Sequence, residues 1–217
     1  MIFLPVSLML FILFLLLIPL LFALAPALAF AKLGLSPVCG YVFFIACLLG
    51  SSINIPVHRG EVEDSIPPDD VSTLLHTFMG IKVPRTAERV IAVNLGGAIL
   101  PGLLSLYLLR QVPFTVTFVA TAITALVAYM LSKPVRGVGV VMPAFVPPII
   151  SASVAILIAG DYAPQVAYIS GVMGTLIGAD LLRFHQIQRL KSTFLSIGGA
   201  GVFDGIYLVG LVSVLLA

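Results

Sequence analysis

The chain alternates between long apolar runs and short polar breaks, and the runs are too long and uniform for the core of a water-facing domain. About 20 predominantly apolar residues is the length that crosses the hydrocarbon core of a bilayer as an α-helix. Seven such runs are readable: Met1 to about Ala31, Val38 to Val57, Arg89 to Leu109, Pro113 to Ser132, Gly137 to Ala159, Pro164 to at least Leu182, and Thr193 to Ala217. Transmembrane β-strands would alternate with period two over about ten residues, and these runs do not. The pattern predicts an all-α polytopic membrane helical bundle of about seven transmembrane helices, forming a single integral membrane domain over residues 1–217. One sizeable hydrophilic loop, residues 58–88, separates helices 2 and 3.

Composition agrees with the pattern. The chain is 60% hydrophobic and 9% charged, where a soluble domain carries about 25% charged residues. So few polar side chains exclude a soluble enzyme and a nucleic-acid binder. Membrane lipids are the expected partners, with the oligomeric state open. The distribution of charge orients the bundle. Arg59, Lys82, Arg85, Arg89, Lys133, Arg136, Arg183, Arg189 and Lys191 fall on one side of seven spans, and Lys32 and Arg110 on the other. The positive-inside rule makes the first side cytoplasmic. The N-terminus is then cytoplasmic and the C-terminus outside, in a multi-pass protein of the cell membrane. The first run lacks a charged n-region and exceeds a signal-peptide core, so it reads as a retained helix bent at Pro19 and Pro26.

The fifth run places Pro143, Pro147 and Pro148 in mid-span. Proline in a helix interior removes a hydrogen bond and clashes with the preceding turn. The run therefore reads either as a broken, cavity-lining helix or as a simple kink. Cys39 and Cys47 read as small buried hydrophobes of the second span. His58, His76, Glu61, Glu63, Asp64, Asp69 and Asp70 crowd the hydrophilic loop without a recognised ligand spacing, and read as solvated. No nucleotide, flavin or haem motif is present, so no cofactor and no metal is expected.

An ionisable group inside a span costs about 2.5–3.5 kcal/mol at the helix centre. Only Asp180 and Asp204 are carboxylates set deep in apolar sequence, and Asn54 and Asn94 are the next most conspicuous polar residues. Residue 192 lies midway between the two aspartates. A helical hairpin turning there puts both about 15–18 Å from the turn, at one depth. Two carboxyls at one level suit acid–base activation of water, one protonated and one ionised. On an ideal helix, Gly171, Gly174 and Gly178 lie far around from Asp180, at 100° per residue. Either Asp180 faces a helix other than the seventh, or the Gly178-Ala179-Asp180 segment departs from ideal geometry. Gly201 and Gly205 flank Asp204 in a small-xxx-small pattern that permits close approach. A plainer reading pairs Asp180 with Arg183, one turn later, as a structural ion pair.

The strings GSSINIP, NLGGAILPG, AYISGVMGTLIGADLL and SIGGAGVFDGIYLVG resemble a family of prokaryotic polytopic membrane proteins known mainly as a domain of unknown function. The resemblance covers nearly the whole chain and implies a purpose for Asp180 and Asp204 without naming the chemistry. A second similarity is to the GxGD intramembrane aspartyl proteases, through Gly178-Ala179-Asp180 and Pro143-Ala144-Phe145. Here Ala179 replaces the second glycine, and the Pro-Ala element precedes both aspartates. That similarity implies peptide-bond hydrolysis by catalytic Asp180 and Asp204, acting on a membrane-protein or peptide substrate. Asn54, Asn94, Pro143, Pro147, Pro148, Gly178, Gly201 and Gly205 are the expected substrate-binding positions. The alternative is a proton- or cation-coupled transporter using the same aspartates, with Pro143 to Pro148 as its broken helix. A third reading is a non-catalytic scaffold.

Overall fold

The computed structural model describes residues 24–63, 86–135, 139–188, 194–199 and 205–217, with Leu8 and Leu15 as isolated positions. These residues are mostly helical. Helix α1 (Leu24–Lys32) and helix α2 (Pro37–Gly50) meet at a bend of 120°. The start of α2 is well specified. Ser36 Oγ accepts the Cys39 N–H at 3.3 Å, and Pro37 opens the first turn with its φ already set.

The second and third predicted spans are both shortened by extended chain, a correction to the purely helical reading. Helix α2 stops at Gly50 instead of near Val57. Strand β1 (Asn54–Glu63) pairs antiparallel with β2 (Thr86–Asn94), Asn54 opposite Asn94. Ile53, Ile55, Val57, Val90, Ile91 and Val93 supply the reason. Their branched Cβ atoms pack well on a pleated surface and lose freedom in a helix. Pro56 has no donor for a ladder, and the β1–β2 register shifts between Pro56 and His58, as expected of proline in a strand. The predicted 58–88 loop therefore begins and ends as strand. Its residues 64–85, with His76, Asp64, Asp69 and Asp70, lie outside the described residues.

Strand β2 hands over directly to a π-helical turn (Leu95–Ile99) and helix α3 (Leu100–Leu109). Helix α4 (Phe114–Leu131) follows closely the predicted fourth span. A short antiparallel pair, β3 (Lys133–Val135) and β4 (Gly139–Val141), then precedes helix α5 (Val146–Ile158). The fifth run is thus not one continuous helix, since a strand and a non-helical stretch precede α5. Pro147 and Pro148 lie in the first turn of α5, where a missing N–H removes no intrahelical bond.

A 3₁₀ turn (Gly160–Tyr162) leads into helix α6 (Ala163–Thr175), which continues as a π-helical segment (Leu176–Leu181) and then the short α7 (Phe184–Gln188). Strand β5 (Phe194–Ile197) adds to β2 in parallel, giving a sheet of order β1-β2-β5. Helix α8 (Gly205–Leu216) completes the described chain. The bundle thus carries a mixed sheet and is not all-α. Phe114–Leu131 and Gly160–Gln186 are long and apolar enough to cross a membrane, and the bent α1–α2 pair makes a third if taken as one span. Leu95–Leu109, Val146–Ile158 and Ile206–Leu216 are apolar but shorter.

Helix α6 sits at the centre, packed by α3, α4, α5 and α8. Lipid offers no hydrophobic force between helices, so small residues and close backbone approach must supply the attraction. A Cβ at Gly178 would collide with the Ala125 carbonyl of α4, and one at Gly174 would stand 2.7 Å from Thr124 Cβ. Side chains also tie the helix ends. Lys32 Nζ donates to the Leu215 carbonyl at 3.1 Å, at the C-terminus of α8.

Candidate functional site

Asp180 sits in the π-helical segment Leu176–Leu181, so the departure from ideal helix geometry is real. The wider turn lets Gly178 keep its seat on α4 while Asp180 points elsewhere. Its Oδ2 accepts the backbone N–H of Gly198 at 2.7 Å. Single π-turns within helices occur frequently at functional sites.

Gly198 follows the last residue of β5, and its position needs glycine twice over. Its φ is +79°, and a Cβ would stand 2.5 Å from Ala98 Cβ and 2.9 Å from Ala98 N. Ala98 belongs to the other π-helical turn, Leu95–Ile99. Next to it, Gly199 lies against the Asn94 side chain, where a Cβ would be 2.9 Å from Nδ2. Two π-turns from distant parts of the chain therefore meet around one Gly-Gly turn.

Asn94 is 2% exposed and caps the Leu95–Ile99 turn. Its Oδ1 accepts the Gly97 N–H at 2.8 Å. Its Nδ2 donates to the Ser51 carbonyl at 2.7 Å and to Asn54 Oδ1 at 3.2 Å. Asn54 Oδ1 also accepts from Ser196 Oγ at 2.6 Å. The network joins the α2–β1 turn, all strands of the sheet and the start of the α3 helix. Buried side-chain amides are expected to be satisfied in this way.

The structure thus brings Asn54, Asn94 and Asp180 to one end of the three-stranded sheet, linked through β5 and its glycine turn. Gly178 is a packing contact with α4. Pro147 and Pro148 are buried in α5 and Pro143 is exposed ahead of it, and the network around Asp180 does not include them. Gly205 is the first residue of α8. Asp204 and Gly201 lie outside the described residues.

The Asp180–Arg183 ion pair of the plainer reading is not formed. Arg183 turns to the C-terminal end of α4 instead. Nε donates to Ser132 Oγ at 2.6 Å, Nη2 to the Tyr129 carbonyl at 2.6 Å, and Nη1 to Gln186 Oε1 at 2.6 Å. The guanidinium also lies 4.5 Å from the centroid of the Tyr129 ring, a cation–π distance. The planar fork matches the acceptors at a helix end, where carbonyls lack partners.

Sequence reasoning did not single out Ser51, Ser196, Gly198 or Gly199. The Gly-Gly pair lay inside the SIGGAG string, and two adjacent glycines after a β-branched residue are a turn signal. Tyr207 is also new. Its ring packs against those of Phe43 and Phe44, and its buried hydroxyl has no hydrogen-bond partner among the described residues. Among those residues, no group of three or more His, Cys, Asp or Glu is placed to hold a metal ion.

Chemically, the arrangement supplies a carboxylate fixed by a backbone amide inside an apolar bundle, at the end of a sheet. Compared with known families, residues 48–216 match the one described as Protein of unknown function (DUF1614). No curated protein and no solved structure matches the chain.

Proposed function

The chain belongs to the DUF1614 family, a membership that brings no chemistry with it, and we propose from its own residues that it hydrolyses peptide bonds within the membrane. In this reading it is a seven-span protein of the cell membrane, N-terminus cytoplasmic and C-terminus outside. Asp180 and Asp204 are its catalytic pair, and its substrate is a membrane protein or peptide. The orientation is supported by the charge count, which puts Arg183 with the nine cations of one side and Lys32 on the other.

One observation carries the reading: the Asp180 carboxylate is held by the Gly198 amide where two π-turns and the ends of the strands converge. The Gly198–Gly199 turn opens the segment that runs to Asp204. Helix α8 begins one residue after Asp204, and its Ile206 and Tyr207 share a buried cluster with Leu176.

Two carboxyls at one level in an apolar medium share a proton. The ionised one takes a proton from water as the water oxygen attacks the scissile carbonyl carbon. The other gives its proton to the carbonyl oxygen. The resulting diol collapses as the nitrogen gains a proton and the C–N bond breaks, leaving an acid and an amine. The transporter alternative drew on a broken fifth helix. It uses the same aspartates, and Pro147 and Pro148 lie in the first turn of α5.

The test is cleavage of a fluorogenic transmembrane peptide in proteoliposomes. Wild type cleaves it, and Asp180→Asn and Asp204→Asn each abolish cleavage. Cleavage that survives either substitution removes the catalytic pair. No cleavage by wild type, with cation-dependent flux blocked by the same substitutions, favours transport.

A further inference from the structure

Asn54 and Asn94 were expected to contact substrate, but their hydrogen bonds run inward. Asn94 is buried, and both ends of its amide are engaged by Gly97, Ser51 and Asn54. Asn54 Oδ1 receives Asn94 Nδ2 from one neighbouring strand and the Ser196 hydroxyl from β5. In the parallel ladder, Ser196 is opposite Ala92 and Ile197 opposite Val93. The next residue, Gly198, gives its N–H to Asp180, and Gly199 rests on the Asn94 side chain.

We propose that Asn94, Asn54 and Ser196 are positioning residues that lock the register of β5 against β2, so that the Gly198–Gly199 turn presents its amide to Asp180. The inference rests on the reading of Asp180 as catalytic and assigns these residues a role distinct from substrate contact. A one-residue slip of β5 would reverse the faces of its side chains and carry the Gly198 N–H away from the carboxylate. The sheet pairing alone is only four residues long on β5, too few to fix a register by ladder bonds when the flanking glycines contribute no side chains. The Ser196–Asn54 bond is the side-chain pin that does so. Asn94 sets the floor on which the turn lies and couples it to the start of the α3 helix.

The experiment uses the full chain in proteoliposomes with two readouts. One is carbodiimide labelling of Asp180, followed by mass spectrometry of its peptide, which needs no activity. The other is steady-state cleavage. Ser196→Ala is expected to change the Asp180 labelling rate and lower kcat about tenfold, in line with loss of one hydrogen bond, with KM and the unfolding midpoint near wild type. Ser196→Thr keeps the hydroxyl and restores both. Asn94→Ala lowers kcat about 100-fold, the scale of a small misplacement of a catalytic group. A raised KM with unchanged labelling in Ser196→Ala and Asn94→Ala makes these residues substrate contacts and overturns the proposal. So does unchanged labelling with unchanged kinetics. If wild type cleaves nothing, the labelling series still decides the positioning role while the protease reading fails. If Asn94→Ala does not fold, the Ser196 pair alone decides.

Discussion

The helical bundle and the Asp180 corner use polar side chains in opposite ways. In the bundle they close local turns. Ser105, Thr117, Thr124 and Ser213 each donate to the carbonyl four residues back in their own helix. Across the bundle interior, glycine contacts and the 2.7 Å Ser151–Ser213 bond make the joins. At the Asp180 corner the hydrogen bonds join residues far apart in the chain, Ser196 to Asn54 and Asn94 to Ser51 among them. There the helices also give up α-geometry for π-turns. In lipid, a polar group that satisfies its own helix asks nothing of its neighbours. One that reaches a distant strand fixes a geometry. The bundle is built to persist, and the corner to hold particular atoms in place.

That contrast breaks most sharply under Asp180→Asn. The amide keeps an oxygen for the Gly198 N–H, so the unfolding midpoint in detergent stays near wild type. Cleavage falls about 10²–10⁴-fold, the range of a lost acid–base group. Gly178→Val tests the opposite side. Its side chain meets the Ala125 carbonyl, and overpacking of this kind costs about 1–3 kcal/mol, read as a lower unfolding midpoint. Arg183→Ala removes the fork on Tyr129 and Ser132 and is expected to cost about 1 kcal/mol, typical of a lost hydrogen-bonding group. Ser213→Ala should be smallest, near the average of about 0.6 kcal/mol for hydrogen bonds between membrane helices. A Ser213 effect larger than that of Gly178→Val would invert the account of what holds the bundle.

The bundle was readable because apolar length is what a membrane demands. The fourth run, Pro113 to Ser132, nearly coincides with α4 (Phe114–Leu131), and the sixth with the Gly160–Gln186 helix. The sheet was not. Ile55 to Val57 and Val90 to Val93 are apolar and lie close to true helices, so hydropathy extended the helices through them. Their β-branched residues pointed to strand, but β5, which completes the sheet, lies about a hundred residues further on. Pro143 to Pro148 misled for a similar reason, since one apolar run concealed a strand and a helix start. The irregularity at Asp180 was legible as a conflict of angles. Its partner was not, because a backbone amide leaves no mark in residue type.

The parallel pairing of β2 with β5 carries a consequence for biogenesis. Between Asn94 and Phe194 the chain must thread α3 to α7 before the last strand can dock. Until Gly198 has emerged, Asp180 has no amide to receive. A nascent chain paused after its central helix therefore carries the carboxylate without the setting that orients it, and the corner is assembled only once β5 and its glycine turn have been made.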